Sequence, residues 1–271
     1  MRKGLKIALD QKQIDQKNTY DIIDCDEIHL FGDERDHFEF ADQLAKPVAT
    51  IHYPLDRCDI AIACEEYDSP YMARVVELAR KTGAGIVLHA ESSAGDIFSN
   101  PHFPGFCDFL RENRIRVHVE NCYRTIGAVE ALNIMRYMKK RIGDDLVFPL
   151  LDTCHLMMSE MSFKYEELSF SQAIDAFKSE CFRMHCNDCI GSGEKETGGI
   201  HGTNFSRNLY LLNNILWKLY NLEKEGYRVD LILEIDEEDY ISVPDAMKLA
   251  ENIDYFWNDY IRQETEGHPG N

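Results

Sequence analysis

Eight short apolar runs, each followed by a segment with helical periodicity, constrain the fold of this chain more than any other feature. The runs are LKIAL (5–9), EIHLFG (27–32), VATIH (48–52), GIVLH (85–89), IRVHVE (115–120), VFPLLD (147–152), FRMHCN (182–187) and DLILEI (230–235). Most are apolar over much of their length, which is typical of parallel strands buried on both faces. Eight repeats of strand and helix predict an α/β protein, a closed (β/α)8 TIM barrel, with a doubly wound open sheet as the alternative.

Residues that begin and end helices lie between these runs. Ser69 is placed to cap a helix that has Pro70 at its first position and closes at Gly83. Further predicted helices run from a cap at Thr125 to Gly143, over residues 205–225, and from Val243 through Trp257 to about Arg262. The stretch Asp59 to Ala63 is compatible with either a short extra strand or the start of a helix.

The chain has the length of one such barrel and shows no sign of a second domain. Barrels of this type run to about 250 residues, and this sequence has 271. It contains no internal repeat, low-complexity linker or composition break. We therefore predict a single barrel domain over residues 1–262 and a disordered acidic tail over residues 263–271.

The composition is that of a soluble globular protein, with 44% hydrophobic and 28% charged residues. Nine cysteines, an odd number scattered along the chain, indicate a reducing compartment. The apolar stretch after Gly4 spans only about five residues, whereas a secretory signal needs roughly 7–15 and a membrane span roughly 18. These features predict a cytoplasmic protein that does not associate with a membrane.

The formal net charge of −19 disfavours nucleic acid and anionic lipid as partners, because both carry dense negative charge. The densest basic run, residues 139–141, lies near the end of a predicted helix, where cations complement the helix dipole. We expect a small-molecule partner. The sequence leaves a monomer and a homo-oligomer both open.

Metal-capable residues stand at or near the ends of six of the eight runs, where a barrel places its active site. They are His52, His89, Glu120, Asp152, His185 and Glu234, and His155 and His201 follow in loops on the same side. Three carboxylates and several imidazoles would not be buried together without a partner for their charge. A divalent cation supplies one, and mixed carboxylate and imidazole ligands suit zinc, manganese, iron or cobalt.

One further motif is a lone CxxC, from Cys186 to Cys189. Without a second pair it indicates neither a zinc finger nor a redox site. Cys186 is expected to pack on the opposite side of its strand from His185. Asp188, inside the motif, can orient His185, bind metal or cap a loop, and the sequence leaves these roles open.

Five motifs in a fixed order then resemble the xylose isomerase-like barrel superfamily, which includes endonuclease IV-type enzymes and many sugar and sugar-phosphate isomerases and epimerases. The motifs are VHVEN (117–121), LDTCH (151–155), HCND (185–188), GIHG (199–202) and LILEI (231–235), with IHYP (51–54) and VLHA (87–90) before them. The resemblance covers about residues 50–235.

The resemblance implies one of two metal centres. In the isomerase and epimerase branch one metal is held by residues matching Glu120, Asp152, His185 and Glu234, and the two glutamates exchange a substrate proton. In the endonuclease IV branch three zinc ions are held by residues matching His52, His89, Glu120, Asp152, His155, His185, His201 and Glu234. That branch expects an aspartate where this chain has Gly199.

We therefore weigh three functions. The first is a metal-dependent isomerase or epimerase acting on a sugar or sugar phosphate, with Glu120 and Glu234 as catalytic residues in proton transfer through an enediolate. The negative charge and Gly199 favour it. The second is an endonuclease IV-like phosphodiester hydrolase, which His52 and His89 favour. The third is a metal-binding or regulatory barrel without catalysis.

Overall fold

The computed structural model describes the chain except for residues 123–126, 163–167, 180, 191–199, 204, 206–207, 238–239 and 266–271. Eight parallel strands close into a barrel in the order β1-β10-β7-β6-β5-β4-β3-β2. They are β1 (Arg2–Ala8), β2 (Cys25–His29), β3 (Val48–His52), β4 (Gly85–Ala90), β5 (Val117–Asn121), β6 (Val147–Asp152), β7 (Cys181–Cys186) and β10 (Arg228–Leu233). The predicted (β/α)8 barrel is confirmed, and the open sheet is excluded.

Two small antiparallel sheets, which the sequence did not predict, follow the seventh and eighth barrel strands. The first pairs β8 (Asp188–Ile190) with β9 (Ile200–Thr203), and the second pairs β11 (Asp236–Glu237) with β12 (Tyr240–Ile241). Strands of two to four residues are too short for alternation to stand out from the surrounding loop. Both sheets lie beyond the carboxyl ends of the barrel strands.

Helices cover the outside of the barrel. They are α1 (Gln11–Asn18), α2 (Ile60–Glu66), α3 (Pro70–Thr82), α4 (Ala94–Ser99), α5 (Phe103–Asn113), α6 (Ala128–Ile142), α7 (Thr153–Ser162), α8 (Phe170–Ala176), α9 (Leu209–Lys224) and α10 (Val243–Thr265), with a 3-10 turn at Phe38–Gln43. Their apolar sides pack on the strands in one large hydrophobic core. No helix in the described part of the chain is long and apolar enough to cross a bilayer.

Several helix boundaries follow the expected capping chemistry. Ser69 Oγ accepts a hydrogen bond from the backbone of Met72 at 3.1 Å, and α3 ends at Gly83 in the left-handed conformation, with φ of 70°. Asp59 caps α2, so the ambiguous stretch is the start of a helix. Thr125, the cap predicted for the next long helix, lies outside the described residues.

Two other boundaries differ from the prediction. Helix α9 begins at Leu209 rather than 205, because the Asn208 side chain caps it through the backbone of Leu211. Helix α10 runs to Thr265 and includes the first residues assigned to the tail, since no glycine or proline lies between Pro244 and Gly267. Residues 266–271 lie outside the described part.

The amino-terminal end of the barrel is held by a buried charge network. Asp230 accepts hydrogen bonds at 2.7 Å from both Arg2 and Arg183, and Arg183 Nη1 lies 2.8 Å from His118 Nε2. Glycine is required at position 85, because a Cβ there would lie 2.6 Å from the His118 ring. These charges are paired with one another, so removing one partner would leave a buried charge uncompensated.

Candidate metal centre

Four of the predicted ligands meet in one buried group at the carboxyl ends of the strands. Glu120 is the second-last residue of β5, Asp152 ends β6, His185 lies in β7 and Glu234 follows β10. Their ligand atoms all lie within 4.8 Å of one another. Each residue is at most 3% exposed. We call these four residues the four-residue group.

His185 lies at the centre of the group, with carboxylates on both sides of its ring. Nδ1 lies 2.8 Å from Glu234 Oε2 and 3.2 Å from Glu120 Oε1. Nε2 lies 3.0 and 3.1 Å from the two oxygens of Glu27. An imidazole with Nε2–H donated to Glu27 presents its Nδ1 lone pair to the other carboxylates, which is the form that binds a metal.

Burial and charge act in opposite directions on these side chains. Burial favours the neutral imidazole of His185, but Glu120, Glu27 and Glu234 outweigh it and raise the pKa of His185 well above its usual range. Burial also favours the protonated Glu120, but His185 and His89 hold its pKa well below the usual range. Lys6 and His185 likewise lower the pKa of Glu234 against the effect of burial. Both glutamates are therefore ionised at neutral pH.

The group fits a divalent cation on its own chemistry. Glu120 Oε2 and Glu234 Oε2 are buried and accept no hydrogen bond from the described residues. A buried carboxylate oxygen without a donor is costly, and a cation among the ligand atoms would satisfy both. Three carboxylates and one imidazole form a donor set typical of manganese, iron, cobalt or zinc.

Asp152 is held in place by hydrogen bonds with three neighbours. Its Oδ1 accepts from the backbone of His155 at 2.6 Å, and its Oδ2 accepts from Asn187 Nδ2 at 3.0 Å. Its backbone N–H donates to Asn121 Oδ1 at 2.7 Å. Asn121 of the VHVEN motif thus holds the backbone of Asp152, and Asn187 of the HCND motif holds its carboxylate.

A second group joins the first through Glu120, and it contains His52 and His89. The Nε2 atoms of the two imidazoles are 3.0 Å apart, and they lie 3.6 and 3.4 Å from Glu120 Oε2. The Nδ1–H of His52 donates to the carbonyl of Tyr53 at 2.7 Å. The Nε2 lone pair of a neutral His52 therefore faces Glu120, so this group can also hold a cation.

The remaining predicted residues have different positions. His155 Nδ1–H donates to the carbonyl of Asn121 at 2.7 Å, and its ring lies 5.5 Å from that of His89. His201 lies in β9, but its side chain is outside the described part, and so is Gly199. Asp188 is buried in β8 and belongs to none of the ligand groups of the described residues. Cys186 packs in the main core with a free thiol.

Strands β1 and β2 supply three site residues that the sequence analysis missed: Lys6, Glu27 and His29. Lys6, 1% exposed, forms an ion pair with Glu234. Glu27 faces His185 and accepts a hydrogen bond from Thr50 Oγ1 at 2.6 Å. The sequence did contain a signal for them, because each is a polar residue at an inward position of an otherwise apolar strand. Burying such a residue without a partner is costly, so a partner was to be expected.

Comparison with known proteins finds similarity to this chain only in three-dimensional structure. No protein-family model and no curated protein matches the sequence. A D-tagatose 3-epimerase-like protein superposes with a TM-score of 0.64 and 14% identity, over 96% of this chain and 100% of that one. An AP endonuclease of family 2 from Brucella melitensis gives a TM-score of 0.55 and 15% identity, over 94% and 98%.

A third solved structure carries a metal ion. A xylose isomerase-like TIM barrel protein from Mycobacterium smegmatis, in complex with magnesium, gives a TM-score of 0.55 and 14% identity, over 91% of this chain and 86% of that one. The chain therefore has the fold of the xylose isomerase-like TIM barrels. These neighbours are of enzyme families, and they include both an epimerase-like protein and an AP endonuclease.

Proposed function

We propose that this protein is a divalent-metal-dependent isomerase or epimerase that acts on a sugar or sugar phosphate. The observation that carries the proposal is the placement of two ionised glutamates, Glu120 and Glu234, in one buried group with Asp152 and His185. Proton transfer at a substrate carbon needs one base to take a proton and an acid to return it. The D-tagatose 3-epimerase-like neighbour, with the highest TM-score of the three structures compared, supports this branch.

The two glutamates have different surroundings, which suits different roles. Glu234 pairs with the Lys6 ammonium, whereas Glu120 is surrounded by the imidazoles of His52, His89 and His155. Histidines can pass a proton onward near neutral pH, so Glu120 has a route for proton exchange. Glu234 is held in the ionised form by its ion pair with Lys6, and an ionised carboxylate is the form that an initial base needs.

The proposed cofactor is a divalent cation held by the four-residue group. When bound, it would polarise a carbonyl or enediolate oxygen of the substrate. The neighbour from Mycobacterium smegmatis contains magnesium, which prefers oxygen ligands. Because His185 contributes a nitrogen, we propose manganese, cobalt, zinc or iron for this chain.

Replacing Glu27 with glutamine is expected to weaken metal binding while the barrel stays folded. Glu27 holds the Nε2–H of His185, and a neutral amide is a weaker acceptor than the carboxylate, so the loss of affinity should approach the ~10–100-fold typical of changes to such a partner. Competition with a fluorescent chelator measures the affinity, and Glu39→Gln, an exposed glutamate, is the matched control. Equal affinities in wild type and Glu27→Gln would show that Glu27 does not orient the ligand.

The proposed reaction is tested by proton exchange with solvent. The manganese- or cobalt-loaded protein is incubated in heavy water with a panel of ketoses, aldoses and their phosphates. At least one substrate should incorporate deuterium at carbon, because a proton taken by Glu120 or Glu234 equilibrates with solvent before it returns. A complete absence of incorporation across the panel would contradict the proposal.

A second candidate function is phosphodiester hydrolysis of the endonuclease IV type. The group of His52, His89 and Glu120 favours it, because clustered metals can activate water and stabilise a leaving oxygen. The AP endonuclease neighbour has the same fold. The charge of −19 speaks against a DNA substrate. Cleavage of a nitrophenyl phosphodiester that depends on His52 and His89, without carbon–hydrogen exchange, would select this function instead.

A cytoplasmic location fits the same proposal. No cysteine in the described part of the chain forms a disulfide. Thiols that stay reduced are typical of the cytoplasm, where sugar phosphates are metabolised as soluble substrates.

A further inference from the structure

A third group of metal-capable side chains lies beside the candidate metal centre, and neither candidate function uses it. It consists of Cys58, His89 and Glu91, whose ligand atoms all lie within 4.8 Å of one another. His89 Nδ1 lies 3.0 Å from Glu91 Oε1, and Cys58 Sγ lies 4.0 Å from the same oxygen. We call these residues the cysteine group.

The backbone holds the cysteine group together. The N–H of His89 donates to the carbonyl of Cys58 at 2.8 Å, and Asp59 forms a parallel bridge with His89. The Asp59 carboxylate also accepts hydrogen bonds from the backbone and the hydroxyl of Ser92. The loop that carries Cys58 is therefore fixed to the end of β4, which carries His89 and Glu91.

We propose that Cys58, His89 and Glu91 form a second metal site, selective for zinc or cobalt. Bond lengths to zinc of about 2.0–2.3 Å imply separations of about 3.3–3.6 Å between tetrahedral ligand atoms, and the observed 3.0 and 4.0 Å bracket them. A thiolate and an imidazole select zinc or cobalt over magnesium and calcium. One thiolate and one carboxylate together neutralise a divalent cation.

The group also has the accessibility that a cation needs. Cys58 is 1% exposed, but the Glu91 side chain is 18% exposed and provides an entry from solvent. Three protein ligands leave a fourth tetrahedral position for water or a substrate group, as in catalytic zinc sites. The proposed site is thus open on the side of Glu91.

The proposal assigns the two nitrogens of His89 to different groups. With Nδ1 bound to the metal of the cysteine group, Nε2 carries the proton and faces His52 Nε2 at 3.0 Å and Glu120 Oε2 at 3.4 Å. In the competing arrangement Glu91 accepts the Nδ1–H and Nε2 is the metal ligand. In that arrangement the Glu91 carboxylate alone orients the ring, and neither of the two neighbouring cysteines, Cys58 and Cys122, is a ligand.

Cobalt spectroscopy separates these arrangements, because only a thiolate ligand produces a sulfur-to-cobalt charge-transfer band in the near ultraviolet. The four-residue group contains no sulfur. Titration of the metal-free protein with cobalt(II) should produce this band, and Cys58→Ser should lose it. Cys64→Ser is the matched control, since Cys64 is a fully buried cysteine in α2 outside every ligand group of the described residues. It should keep the band.

Three results would overturn the assignment. One is a wild-type titration without the band, as the competing arrangement requires. Another is a band that survives Cys58→Ser and disappears in Cys122→Ser, which would assign the thiolate to Cys122. The third is loss of the band in Asp152→Ala, which would tie the sulfur signal to the four-residue group. Glu91→Gln, at a partly exposed position, should shift the titration to higher cobalt concentration without unfolding the barrel.

This inference does not rest on the proposed isomerase function. It shares only His89 with the wider cluster, and its readout is an absorption band rather than activity. A protein that exchanges substrate protons without a sulfur–cobalt band would keep the proposed function and lose this site. The reverse outcome would keep the site and lose the function.

Discussion

Glu120→Ala should remove almost all divalent metal from the four-residue group, and any metal that remains is expected at the proposed site of Cys58, His89 and Glu91. Glu120 is common to the four-residue group and to the group with His52 and His89, so one substitution takes a carboxylate from both. Its loss also removes one negative charge from the site, which lowers the attraction of the site for a cation. Elemental analysis of protein purified without chelator measures the result.

The control for this substitution is Glu39→Ala, which removes an exposed glutamate and should leave the metal content unchanged. Asp152→Ala should also lose the metal, because Asp152 belongs to the same four-residue group. Circular dichroism establishes that each variant is folded. Wild-type metal content in folded Glu120→Ala and Asp152→Ala would refute the assignment of the metal site.

Glu234→Gln should lower carbon–hydrogen exchange by at least ~100-fold, the range that a general base contributes. Glutamine keeps the shape of the side chain, and its amide oxygen can still accept from Lys6, which pairs with Glu234 in the native protein. It cannot accept a substrate proton. Solution NMR of the substrate in heavy water measures the exchange rate for the variant and for Glu39→Gln.

The metal content of Glu234→Gln distinguishes a base from a ligand. A metal-loaded variant that exchanges slowly assigns proton transfer to Glu234. A metal-loaded variant that exchanges at the wild-type rate would show that another group is the base. If the variant loses metal, adding saturating manganese restores the comparison at equal occupancy.

The sequence predicted the barrel because its signal is repeated. Parallel strands buried on both faces leave apolar runs, and the (β/α)8 topology brings their carboxyl ends to one mouth. His52, for example, ends a run whose predicted bounds coincide with β3. Assigning each residue to the end of its strand was therefore enough to bring His52, His89, Glu120 and His185 to one mouth. In the structure His52 lies beside His89 and Glu120 beside His185.

The sequence could not predict contacts that depend on the register of individual strands. Lys6 and Glu27 resemble surface residues in one dimension, and only the closed barrel shows that each faces an opposite charge in the interior. The first strand, β1, begins at Arg2, earlier than the sequence predicted. Lys3 and Lys6 interrupt its apolar pattern, so the start of the strand was not visible in the sequence. Cys58 is brought to Glu91 by a backbone bridge between a loop and a strand, which has no signature in the sequence.

Anomalous diffraction from crystals grown with manganese tests the central claim most directly, because it locates the cation without reference to a substrate. We expect a strong peak bounded by the carboxylates of Glu120, Asp152 and Glu234 and by Nδ1 of His185. No peak among these four side chains at saturating manganese would contradict it.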